Sequence, residues 1–141
     1  MQDLFERYVT SWLALEVPDL HVQRHHRVPL GAGLYCDIDI VLRHGAGGRP
    51  LAVLDTKYKD EPVPSARDIQ QVVFYATVLG CPEACLIYPC SVKPLTVRAG
   101  AVTVRTRGVD LSSLPLDPAP FRRWTQDLIA GSWTSEATWR A

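Results

Sequence analysis

Asp39 and, further along, the triplet Asp55-Thr56-Lys57 are the residues best suited by type and spacing to do chemistry. Tyr35 to Arg43 alternates so that Cys36, Ile38, Ile40 and Leu42 share one face of a strand and Asp37, Asp39 and Val41 the other. Leu51 to Lys57 reads as a second strand with Val53, Asp55 and Lys57 on one face, and the turn over Gly45 to Pro50 lets a hairpin set Asp39 across from them. Two carboxylates meeting there make a hard oxygen site suited to Mg²⁺ or Mn²⁺, with room for water and a phosphate oxygen. An ion so held polarises a phosphate and acidifies a bound water. Lys57 beside it is placed to position or deprotonate the attacking water and to offset developing charge. The bland alternative is a set of exposed strand residues in surface ion pairs, which contribute little. Against it, the acids lie in apolar, β-branched strands, where a solvent face would carry Thr, Ser or Lys.

Several elements must hold these residues. Residues 3 to 16 carry Leu4, Phe5, Tyr8, Val9, Trp12 and Leu15 at helical spacing, with Glu6 at the edge of that stripe and Pro18 as the stop. His21 to Val28 suggests a partly exposed strand, followed by a turn at Gly31 to Gly33. Ser65 is suited to cap a helix running to about Leu79, with Asp68 in its first turn and Gly80 ending it. On that helix Gln71 and Tyr75 are one turn apart and share a face. Glu83 to Tyr88, Leu95 to Arg98 and Val102 to Arg107 read as strands, and a last helix runs from near Ala119 to Gly131, leaving 132–141 as a tail expected to fray. The tryptophans, Trp12, Trp124, Trp133 and Trp139, fall on the terminal segments, as residues joining two end helices would.

Taken together, these segments resemble the PD-(D/E)XK nuclease superfamily, and in particular the nuclease domain of McrC, a subunit of the 5-methylcytosine restriction system. The resemblance is carried in order by Leu4-Phe5-Glu6-Arg7-Tyr8-Val9, Ile38-Asp39-Ile40-Val41-Leu42, Leu54-Asp55-Thr56-Lys57-Tyr58-Lys59 and Asp68-Ile69-Gln70-Gln71-Val72-Val73-Phe74-Tyr75. It implies an α/β fold with a restriction-endonuclease-like core, a mixed central sheet flanked by helices in the order αβββαβ. It also implies Glu6, Asp39 and Asp55 as metal-binding acids, Lys57 as the catalytic lysine, and Gln71 and Tyr75 reaching toward the site or DNA. The last two have a second reading, a buried Tyr hydrogen-bonded to a helix Gln. Ile38 stands where the family usually has proline, the second acid is Asp where Glu is commoner, and Asp37 is a rival ligand to Asp39.

Length and composition fit this picture. A chain of 141 residues, 47% hydrophobic and 21% charged, is one domain in size and globular in kind, so residues 1–141 are expected to form a single nuclease-like unit. No stretch approaches the length of a membrane span and no basic, then apolar leader opens the chain, which points to a cytoplasmic protein. Fifteen basic residues balance fifteen acidic ones, so no global charge argues for a nucleic-acid partner. The run Arg24-His25-His26-Arg27 and the pair Arg105 and Arg107 read equally as phosphate contacts or as ordinary strand faces. Cys36, Cys81, Cys85 and Cys90 read as free thiols, with zinc or iron-sulfur ligation as the rival. The leading expectation is a Mg²⁺- or Mn²⁺-dependent deoxyribonuclease working with DNA, with a motor NTPase subunit and a homodimer as candidate partners. The alternative is a catalytically inactive nucleic-acid-binding or assembly module of the same fold.

Overall fold

The computed structural model describes residues 2–58, 63–109 and 117–130. Its elements are α1 (Gln2–Glu16), β1 (His21–Gly31), β2 (Leu34–Arg43), β3 (Pro50–Thr56), α2 (Ala66–Leu79), β4 (Glu83–Tyr88), β5 (Thr96–Ala99), β6 (Val102–Gly108) and α3 (Ala119–Ala130). The six strands form one sheet in the order β1-β2-β3-β4-β6-β5. β3, β4 and β6 run parallel, while β1, β2 and β3 form an antiparallel meander and β5 folds back on β6. This is the mixed sheet flanked by helices expected from the sequence, with αβββαβ followed by a hairpin and a third helix.

β4 lies between two parallel neighbours and is buried at every position, which is why Ala84 to Tyr88 is nearly continuous in apolar residues. Odd and even positions of the central strands separate into two cores. One contains Ile40, Leu42, Leu54, Cys85 and Ile87 beneath Phe5, Val9 and Leu13 of α1 and Phe121, Trp124 and Leu128 of α3. The other contains Val41, Val53, Leu86, Tyr88 and Val104 beneath Val72 and Ala76 of α2. Trp12 meets Phe121 edge to face at 5.0 Å, and Phe121 meets Trp124 at 6.4 Å, so these tryptophans join the two end helices as expected. Trp133, Trp139, Lys59 and the tail 132–141 lie outside the described residues.

Two expectations need correction. The buried face of α1 is Phe5, Glu6, Val9 and Leu13, whereas Leu4 and Leu15 are exposed, so Glu6 stands within the packed stripe. In β2, Cys36 and Ile38 pack in the α2 core but Ile40 and Leu42 pack in the α1 core, so the four do not share a face. The alternation inverts at Asp39. Its partner strand inverts at the same level, because Val22 packs on the α1 side and Val28 on the α2 side. Between them the rungs Arg24↔Ile40 and His26↔Ile38 are made, the His25↔Asp39 rung is missing, and His25 has a φ of 55°.

α2 has the ends its sequence promises. Ser65 accepts a hydrogen bond from the Asp68 amide at 3.1 Å, the Asp68 side chain bonds back to the Ser65 amide, and Gly80 closes the helix at φ 71°.

Candidate active site

The site forms where β2 leaves β3. Their ladder ends at Ile40↔Leu54. The next amide on β3, that of Thr56, donates instead to Asp39 Oδ2 at 3.2 Å, as does the Thr56 hydroxyl. A side chain thus takes the place of a backbone rung, which fixes Asp39 against the end of β3. Thr56 and Lys57 are still held on the other side by β4, through the Thr56↔Ile87 rung and the Lys57 amide on Ile87 O at 2.8 Å.

Asp55 points to the α2 side, 4% exposed. Burial and the charge of Asp39 together push its carboxyl up to about 7, against the opposing pull of Lys57. Lys57 Nζ stands 2.6 Å from Asp55 Oδ2 and 3.7 Å from Asp68 Oδ1, and donates to Gln71 Oε1 at 2.7 Å. Burial pulls the ammonium down, but the bond to Asp55 and the charges of Asp55, Asp68 and Asp39 outweigh it and leave its pKa above the ordinary lysine value. Gln71 Nε2 in turn donates to the Tyr75 hydroxyl at 2.9 Å. Burial raises the Tyr75 phenol, and the charges of Asp55 and Asp39 add to that shift. Asp39, Asp55, Lys57, Gln71 and Tyr75 are therefore one connected group.

Glu6 approaches from α1, on the other face of the sheet. It is 6% exposed, and its Oε1 lies 2.9 Å from Arg24 Nε and 2.5 Å from His25 Nε2. Burial, then the charge of Asp39, raises its pKa against the pull of His25 and Arg24. Asp37 is no rival to Asp39: it is exposed and bound to Arg27 at 2.9 Å, and that hydrogen bond holds its carboxyl below the usual range.

Asp68 was read in the sequence only as a helix-start residue. It caps α2 and also faces Lys57, and the capping-box pattern marks the first role but carries no signal for the second. The basic run on β1 is largely engaged within the chain. Arg24 binds Asp3 and Glu6, Arg27 binds Asp37 and stacks 3.8 Å over Tyr35, and His26 meets Gln23. Arg105 is buried against Glu83 at 3.3 Å, which removes it as a phosphate contact. The four cysteines are free thiols, Cys85 in the α1 core and Cys36, Cys81 and Cys90 in the α2 core, so one ion cannot collect all four.

The chemistry of the donors fits a divalent ion. Two carboxylates repel each other at the end of β3, and burial further disfavours the charged form of Asp55, whose Oδ2 has Lys57 Nζ at 2.6 Å. A hard cation would relieve both conditions. Among the described residues no three His, Cys, Asp or Glu side chains are close enough to hold an ion unaided, so water or phosphate oxygens would have to complete its shell. Among the same residues no helix is long and apolar enough to cross a membrane.

Comparison with known proteins places the chain in a family. No curated protein matches the sequence. Among solved structures the chain is similar to one in the assembly of Thermococcus gammatolerans McrB AAA+ hexamers with bound McrC, with a TM-score of 0.65 and 19% identity over 77% of this chain. The match spans 28% of that chain, and at such identity it speaks for a shared fold. The family model for the McrBC 5-methylcytosine restriction system component matches residues 1–89, a span that contains Glu6, Asp39, Asp55, Lys57, Gln71 and Tyr75. The chain belongs to that family.

Proposed function

We propose that this domain is a metal-dependent deoxyribonuclease of the PD-(D/E)XK type and the cutting part of a McrBC-like restriction system. The observation that carries this reading is the pair Asp39 and Asp55, forced together at the end of β3 with Asp55 raised to about 7 and Lys57 alongside. A fold has no structural need for such a pair, and strongly perturbed groups of this kind concentrate at functional sites. Asp39 and Asp55 would hold Mg²⁺ or Mn²⁺, with Glu6 assisting from α1. The ion, when bound, supplies Lewis-acid polarisation of the scissile phosphate and a more acidic water.

The protein's own residues do the rest. Lys57, its pKa above the ordinary value, is an ammonium at neutral pH and donates its N–H groups to the attacking water or to a phosphate oxygen as negative charge develops. This narrows its role to orienting and neutralising. Gln71 holds Nζ through Oε1, and Tyr75 holds the amide of Gln71, so α2 fixes the position of the cation. Since the related solved assembly contains McrC bound to McrB AAA+ hexamers, a motor NTPase is the partner to test first. Cutting both strands of a duplex with one site per chain requires two copies.

The test is cleavage of supercoiled plasmid and of single-stranded DNA with Mg²⁺ or Mn²⁺, with EDTA as the blank. Asp55→Asn and Lys57→Ala should each reduce cleavage by about 10²-fold or more. A folded wild type that fails to cut, alone and with its motor subunit, would instead be an inactive binding or assembly module. Cutting that survives both substitutions would place the site elsewhere.

A further inference from the structure

In a regular strand, neighbouring side chains point to opposite faces of the sheet. Arg24 and His25 are neighbours in β1, yet both reach the same carboxylate oxygen, Oε1 of Glu6 on α1. The backbone explains how. His25 and Ala32 are the non-glycine residues with positive φ among the described residues. Ala32 lies in the tight turn of the β1–β2 hairpin, flanked by two glycines, where such a conformation is ordinary. His25 adopts φ 55° in mid-strand, with no glycine beside it. Upstream of it Val22 and Arg24 face α1, and downstream His26 and Val28 face the α2 side. Ordinary alternation would have sent the His25 ring away from α1; the left-handed residue turns it back.

This costly conformation lies directly across from Asp39, at the one rung missing from the middle of the β1–β2 ladder. Backbone strain in a non-glycine residue persists where surrounding structure imposes it, and such residues cluster at functional sites. Glu6 is buried, and the charge of Asp39 acts on it.

We propose that the inversion at His25 builds a two-residue clamp, Arg24 and His25, that holds the Glu6 carboxylate beside Asp39, and that His25 is a positioning residue of the reaction centre. This rests on the nuclease reading for its consequence, but the clamp itself can be tested without it.

The experiment is a double-substitution cycle between His25→Gly and Glu6→Gln, with His25→Ala as the strain control. Each protein is examined for thermal unfolding, Mn²⁺ binding by calorimetry and DNA cleavage. His25→Gly accepts the positive φ while losing the imidazole, so it should melt at a higher temperature than His25→Ala. It should weaken Mn²⁺ binding by about threefold or more and reduce cleavage by about tenfold, through kcat and not through the KM for DNA. In the Glu6→Gln background it should cause no further loss, because a residue acting through Glu6 has nothing left to position. Losses that multiply in the double variant, or a His25→Ala protein as stable as His25→Gly, would overturn the proposal. A wild type that neither binds Mn²⁺ nor cuts would overturn the nuclease reading. The clamp would then stand or fall on the melting temperatures, where coupling between positions 6 and 25 supports it and additivity ends it.

Discussion

Asp55–Lys57 and Glu83–Arg105 are both buried ion pairs in the same sheet, one at the C-terminal end of β3 and one at the start of β4. Both carboxyls are raised by burial. Their surroundings differ in sign. Glu83 has Arg105 and Arg107 drawing it down, together with a contact from Trp124, and no carboxylate among the groups that shift it. Asp55 has Lys57 drawing it down but Asp39 driving it up, at a corner where β2 has already left the ladder. The Glu83 pair leaves Glu83 Oε2 without a hydrogen bond, but the charges that shift it are those of cations. The Asp55 pair leaves a repulsion that folding alone gives no reason to keep, and this residual conflict separates a site from a structural pair.

The contrast can be broken most sharply by removing the cation from each pair. Arg105→Ala strands Glu83 in the interior, and unfolding in urea should show a loss of about 3–5 kcal/mol, with cleavage per folded molecule nearly unchanged. Lys57→Ala should do the opposite near pH 6.5. Asp55 can absorb the loss by taking a proton, so stability should move by about 1 kcal/mol or less while cleavage disappears. If the two substitutions behave alike, the distinction fails.

A smaller effect sharpens the electrostatic side. Because the folded Asp55 carboxyl is raised from 3.8 to about 7, its protonated form is the one the fold favours. Its contribution is fully present below about pH 4 and is lost as pH rises through about 7. Asp55→Asn mimics the protonated form, so in EDTA it should melt several degrees above wild type at pH 8 and alongside it at pH 4. Adding Mn²⁺ at pH 8 should raise the wild-type midpoint and leave the variant where it is. Equal midpoints at pH 8 in EDTA would mean that Asp39 and Asp55 do not repel.

The smallest effect belongs to the supporting network. Tyr75→Phe removes the acceptor for Gln71 Nε2 in a partly exposed place, and should cost about 0.5–1 kcal/mol and less than tenfold in cleavage. A loss as large as that of Lys57→Ala would move Tyr75 from support into the reaction itself.

Much of this was legible in the sequence because it depended on local rules. Ser65, Asp68 and Gly80 mark the ends of α2 by capping chemistry, and alternation from Ala52 onward puts Asp55 and Lys57 on one face. The faces of β2 could not be read the same way. Gln23-Arg24-His25-His26-Arg27 contains no glycine or proline to announce a left-handed residue, and the inversion there accompanies a contact with α1 that no local pattern encodes. The same is true of α1, where Glu6 displaces Leu4 and Leu15 from the buried face because a tertiary partner, Arg24 with His25, awaits it. The reach of Asp68 to Lys57 likewise depends on how α2 lies across β3, which no spacing encodes.

The rung that Asp39 supplies to the Thr56 amide has a mechanical consequence. A backbone carbonyl in that place would be indifferent to charge, but a carboxylate answers to every cation that arrives. Whatever draws Asp39 away unfastens the corner of the sheet, and whatever returns it fastens the corner again. If a cation does draw on Asp39, the exchange of the Thr56 amide proton with solvent should change with it, an effect readable on the polypeptide itself without following any product.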